Sequence, residues 1–105
     1  MEVRLYNPAR DRDAVLRIFR EIGWVEPGKE PAADAPLTAG RTLVADLDGA
    51  AECAVSSAQG DIAYLGERLP FAGLTGVSTS RVARKRGLAR RLAARSVALD
   101  AADGV

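Results

Sequence analysis

At 105 residues the chain has room for one small domain and no more. Its 48% apolar and 28% charged residues form an ordinary globular balance that argues against disorder, and its 5% aromatic content demands a core of small aliphatic side chains. Histidine is absent, which excludes His-based triads, His general bases and most zinc sites.

The single cysteine, Cys53, has no partner for an internal disulfide, and one thiol is too few for a metal cage. It reads as a small apolar residue on a strand, and no metal is expected. The N-terminus lacks the apolar run of a signal peptide, and no segment approaches the ~18 apolar residues of a membrane span. These features predict a cytoplasmic protein with no membrane partner. The net charge of +1 hides an asymmetry. Arg81, Arg84, Lys85, Arg86, Arg90, Arg91 and Arg95 follow one another without an acid, a local +7 that leaves −6 for the rest. Such segregation points to an anion at one short stretch.

In chain order, Val3–Tyr6 alternates as a short strand ended by Asn7-Pro8. Asp11 or Asp13 is then placed to cap a helix that carries Val15, Ile18, Phe19 and Ile22 on one buried face, with Gly23 as its stop. Residues 24–40 hold Pro27, Pro31 and Pro36 and predict a loop with at most one short helix. Arg41–Leu47 and Ala50–Ser57 predict two strands joined by Asp48-Gly49 in a type I′ turn. Turns are expected at Gln59-Gly60-Asp61 and at Gly66–Pro70, with a strand-like Ile62–Leu65 between them. Phe71–Thr79 is the next strand, weakened by Gly73 and Gly76 unless a bulge or a close ligand uses them. From Arg84 or Gly87 a helix follows, with Leu88, Ala89, Leu92, Ala93, Ser96 and Leu99 on one face and Gly104 as its cap.

Chemistry concentrates at the junction of that strand and that helix. The first helical turn has N–H groups without internal partners and a partial positive charge, so an anion such as a pyrophosphate is bound there by backbone donors and flanking cations. Gly87 allows close approach of the phosphates, and Ala89 is small for the same reason. The run Arg84-Lys85-Arg86-Gly87-Leu88-Ala89 resembles the Q/R-x-x-G-x-G/A signature of the GCN5-related N-acetyltransferases, the GNAT family, and the element order upstream resembles it too. The stretch Leu69–Val77 is similar to the hairpin that precedes the coenzyme strand in the enhanced-intracellular-survival branch.

The resemblance implies an α/β (α+β, mixed-sheet) acyl-CoA N-acyltransferase fold. It implies acetyl-CoA as acyl donor, with no metal, and an unidentified amine as acceptor. By the same resemblance, Val77, Ser78 and Thr79 offer backbone groups to the pantetheine arm, with an amide at Val77 or a neighbour polarising the thioester carbonyl. Arg84 opens the turn, and Lys85, Arg86, Gly87, Leu88, Ala89 and Arg90 wrap the pyrophosphate. Arg91 and Arg95 read as a solvated helix face, and Tyr64 and Trp24 as packing residues. Glu26, Glu30, Asp46, Glu52 and Glu67 are all candidates for the general base, and spacing selects none of them.

A full domain of that family continues beyond the helix that follows the motif, so residues 1–105 are expected to be its N-terminal portion. The Phe71–Thr79 strand is then an open sheet edge that invites pairing with another chain, a route to homo-oligomers. Two other functions compete: a non-catalytic interaction protein, and a nucleic-acid binder using the basic stretch on phosphates. Against the latter, the cations cluster at a strand–helix junction and aromatic residues for base stacking are scarce.

Overall fold

Alternating apolar residues on either side of Asp48-Gly49 dictate a hairpin, and a computed structural model, which describes residues 2–105, forms it there. Asp48 and Gly49 take φ of 55° and 88°, the left-handed pair that a type I′ turn requires. The elements run β1 (Glu2–Leu5), α1 (Pro8–Glu21), α2 (Asp34–Thr38), β2 (Arg41–Leu47), β3 (Ala50–Tyr64), β4 (Glu67–Thr79) and α3 (Leu88–Ala102). Short 3-10 turns lie at Glu30–Ala33 and Arg81–Ala83. The strands form one sheet in the order β1-β2-β3-β4, every neighbouring pair antiparallel. The architecture is α/β as expected.

The central strands are buried on both faces. Val15, Leu16 and Phe19 of α1 and Leu37 of α2 pack on Val44, Ala51 and Ala54. On the other face Leu88 and Leu92 of α3 pack on Leu43, Ala45, Cys53 and Val55. A bulge at Glu52, where Ala45 pairs with Cys53 but Asp46 with Ala51, puts Ala51 and Ala54 on the same face despite their odd spacing. Fully buried side chains such as Val15 and Leu92 contribute roughly 1.5–3 kcal/mol each through apolar area removed from water.

Asn7 caps α1, in place of the expected Asp11 or Asp13: its Oδ1 accepts from the Ala9 N–H at 3.0 Å. Asp11 is buried instead, accepting from the Asn7 N–H at 2.9 Å and from the Arg4 guanidinium, which also reaches Asp46 at 2.9 Å. Competition for a buried cation overrode the local capping preference. The C-terminal stop is as expected. Gly23 at φ 81° donates to the Arg20 carbonyl and Trp24 to that of Phe19, a Schellman closure sealed by the Phe19 and Trp24 rings, 5.3 Å apart.

The expected turns around Gly60 and across 66–70 do not form. β3 runs unbroken to Tyr64, the chain reverses at Leu65-Gly66, and β4 starts at Glu67. Gly60 lies opposite Phe71, whose ring sits 3.2 Å from where a Cβ would be, so the glycine seats an aromatic across the ladder rather than breaking the strand. Leu65 at φ 50° is an unusual turn residue and carries no sequence signal. Tyr64, expected to pack, is 61% exposed at this tip. A bulge does lie beside Gly76: pairing passes from Ser56–Gly76 to Ser57–Leu74 and leaves Thr75 out of the ladder, while Gly73 pairs in register with Ala58.

Candidate functional site

The basic stretch forms the connection from β4 to α3. After the 3-10 turn, Arg84 is extended, Lys85 takes φ 65°, and Gly87, at φ 73°, is the N-cap of α3, so the helix begins at Leu88, just after the later of the two expected starts, and Arg84 lies outside it. No side chain caps this helix and no acid lies in its first turn. The first internal bond runs from the Arg91 N–H to the Gly87 carbonyl at 3.1 Å, so the amides of Leu88, Ala89 and Arg90 precede the helical ladder. The left-handed Gly87 followed by right-handed Leu88 is the backbone alternation that turns successive N–H groups into an anion-binding concavity. Nothing lies within 4 Å of a Cβ built on Gly87, so that concavity opens to solvent.

The charges match this geometry. Arg4, Arg10, Arg12, Arg17, Arg20, Lys29 and Arg41 each have a carboxylate partner within 4 Å. Among the described residues, none of the seven cations between Arg81 and Arg95 forms such a pair. A cavity of about 290 Å³ lies beside the turn and brings together Thr79, Arg84, Lys85, Gly87, Leu88, Ala89 and Arg90. Arg86, Val77 and Ser78, grouped with them in the sequence, lie outside that cavity.

Strand phase separates Val77, Ser78 and Thr79. The Ser80 N–H donates to the Glu52 carbonyl at 2.9 Å, and in an antiparallel pair alternate residues face the partner strand. Ser78 therefore spends its backbone groups on Ala54, and its buried hydroxyl also donates to the Ala54 carbonyl at 3.4 Å. Val77 and Thr79 turn theirs to the free edge of β4. Only two of the three expected residues have backbone donors and acceptors open there.

Cys53 is fully buried on β3, where burial pushes its thiol pKa up against a weaker opposing effect of the Thr79 hydroxyl. A packed thiol of this kind is the reverse of a nucleophilic thiolate. Among the described residues no group of three or more His, Cys, Asp or Glu is placed to hold a metal ion. Among the described residues no helix is long and apolar enough to cross a membrane.

A second cavity, of about 480 Å³, opens on the α1 side of the sheet at the β4 bulge. Phe19, Trp24, Pro36 and Leu37 form its walls, and Thr75 and Gly76 border it on β4. Trp24 is 52% exposed, so it packs on Phe19 as expected and also presents ring surface to this space. Sequence reasoning missed the cavity because its lining comes from four separate segments. Among the five acids weighed as bases, Asp46 pairs with Arg4, Glu52 with Arg17 and Glu30 with Arg20, while Glu67 starts the distal hairpin. Glu26 alone of the five borders the cavity, and it pairs with Lys29 at 3.7 Å.

Residues 3–105 match the family described as Acetyltransferase (GNAT) domain. No curated protein sequence matches the chain. Among solved structures, the fold is similar to an acetyltransferase from Vibrio fischeri, with a TM-score of 0.74 and 13% identity, over 100% of this chain and 90% of that one. It is similar to a Trypanosoma brucei acetyltransferase, with a TM-score of 0.77 and 18% identity, over 98% of this chain and 76% of that one. A GNAT family acetyltransferase from Brucella melitensis, in complex with acetyl-CoA, gives a TM-score of 0.72 and 20% identity over 99% of this chain and 70% of that one. At such identities the structures speak for the fold alone, whereas the family match takes in nearly every residue. The chain belongs to the GNAT acetyltransferase family.

Proposed function

We propose that this chain binds acetyl-CoA at the β4–α3 junction and serves acetyl transfer to an amine. The observation that carries the reading is the treatment of the α3 N-terminus: open amides, a left-handed glycine and unpaired cations, all directly after an edge strand. The residues fit a pyrophosphate. Leu88, Ala89 and Arg90 offer backbone N–H groups, Gly87 removes the side chain that would stand in front of them, and Arg84, Lys85, Arg86 and Arg90 supply the opposing charge.

The free backbone groups of Val77 and Thr79 would hold the pantetheine arm as an added strand, with Ser78 fixing the register through its bonds to β3. Along β4 the four steps from Thr79 back to Thr75 span roughly 13 Å, which would carry such an arm from the basic turn to the bulge. Acetyl-CoA supplies an activated acyl group on a thioester. An outward amide at Val77 or a neighbour would donate to the thioester oxygen as the acceptor nitrogen attacks, and the thiol would depart with the proton that the amine gives up.

Calorimetric titration with acetyl-CoA tests the reading, beside Gly87→Glu as control. Glutamate fills the turn and repels the phosphates, and the expected loss is about a hundredfold in affinity. A Gly87→Glu variant that binds as tightly as the parent would overturn the assignment. A salt series separates it from phosphate-backbone binding, which falls steeply with ionic strength where backbone-amide binding falls less.

A further inference from the structure

The 480 Å³ cavity on the α1 side has the size of a small-molecule site and lies at the β4 bulge, where the proposed arm would end. Its lining says what would fit. Trp24 leans at 50° on Phe19 with half its surface still exposed, and Pro36 and Leu37 continue the apolar wall. A large aromatic side chain left half in water beside an apolar recess is stabilised by whatever apolar body covers it.

Charge excludes the opposite class of ligand. The cavity is bordered by one acid, Glu26, and one base, Lys29, and these two face each other at 3.7 Å. A polycation needs several carboxylates to replace its hydration, and this space offers no net charge. The polar end of the cavity is at β4. The Thr75 backbone has dropped out of the ladder there, and Ser56 already shares its hydroxyl with Thr42 at 2.8 Å. An amine directed at that end would lie against the strand edge.

We infer that this cavity takes the acceptor, and that the acceptor is a small primary amine with an aromatic or branched apolar body seated on Trp24, rather than a polyamine or an aminoglycoside. The inference rests on the acetyl-transfer reading for its role, while the ligand class stands on the cavity alone.

The probes are 2-phenylethylamine and spermidine, titrated calorimetrically into the full chain, once by itself and once with coenzyme A present. Phenylethylamine is expected to bind at least about tenfold more tightly than spermidine. Trp24→Ala should cost about tenfold, with Trp24→Phe within about threefold of the parent because the ring is kept. Since Trp24→Ala also removes the cap contact with Phe19, Ala32→Glu on the exposed rim serves as a second variant. It adds a carboxylate and should raise spermidine affinity while lowering that of phenylethylamine. Absence of phenylethylamine binding, spermidine binding as tight or tighter, or unchanged preferences in Ala32→Glu would each overturn the inference. Failure of coenzyme A to bind while phenylethylamine still does would instead remove the acetyl-transfer reading and leave the amine site standing.

Discussion

The two long helices begin in opposite ways. At α1, Pro8 occupies the first turn, the Asn7 side chain takes the Ala9 amide, and the Asp11 carboxylate takes the Asn7 amide while holding Arg4. At α3, Gly87 has no side chain to offer, the first turn has no acid, and the surrounding cations are unpaired. Both ends carry the same orphan amides and the same partial charge. One end satisfies them from within the chain and is structural. The other leaves them open, and the proposed coenzyme site rests on that difference.

The contrast can be broken from either side, and the largest effect is expected at α1. Asp11→Ala leaves Arg4 with Asp46 alone, although its Nε and Nη1 already lack partners in the buried cluster. Urea unfolding should show a loss of about 2–4 kcal/mol, between that of one charge-assisted hydrogen bond and a severed buried pair. An unchanged midpoint would mean that the cluster is not what joins β1, α1 and β2.

The far end of α3 treats charge as α1 does. Asp100 is held below its ordinary pKa of 3.8 by the Ser57 hydroxyl first, then by Gln59 and Arg41. A lowered folded-state pKa contributes stability that is present above the ordinary value and lost as pH falls through the folded one. The parent should therefore unfold at higher urea than Asp100→Asn at neutral pH, and the gap should close below about pH 4. A gap that persists down to pH 2 would assign the effect to packing.

At α3 itself, Gly87→Asn tests conformation apart from charge. Asparagine tolerates the left-handed region but brings a side chain that competes for the first-turn amides. Acetyl-CoA affinity should fall about tenfold, less than for glutamate; equal losses in the two variants would point to backbone strain as the sole cause. Asn7→Ala at α1 is the smaller counterpart, costing about 1 kcal/mol of stability with coenzyme affinity unchanged. Smallest of all, Arg91→Gln with Arg95→Gln should alter acetyl-CoA affinity by less than about threefold at physiological salt, since both lie beyond the turn on an exposed face. A larger change would extend the anion site along the helix.

What the residues determine locally was legible from the chain alone: the Asp48-Gly49 turn, the glycine stops of α1 and α3, and the glycine start of α3 after the basic turn. In each, a few neighbouring residues have one favourable backbone solution, so no distant contact is needed to choose it. Tertiary structure decided the rest. Asp11 caps nothing in the ordinary sense because a buried guanidinium claims it, and Gly60 continues a strand because Phe71 from the opposite strand covers it. The Ser80–Glu52 bond sets which of Val77, Ser78 and Thr79 face outward, and no pattern of residue types encodes that phase. The cavity under Trp24 is drawn from α1, the loop after it, α2 and the strands, segments that meet only when the apolar faces of the helices find the sheet. Local conformational preference wrote the glycine start of α3; burial, which acts between residues far apart in the chain, wrote the space under Trp24.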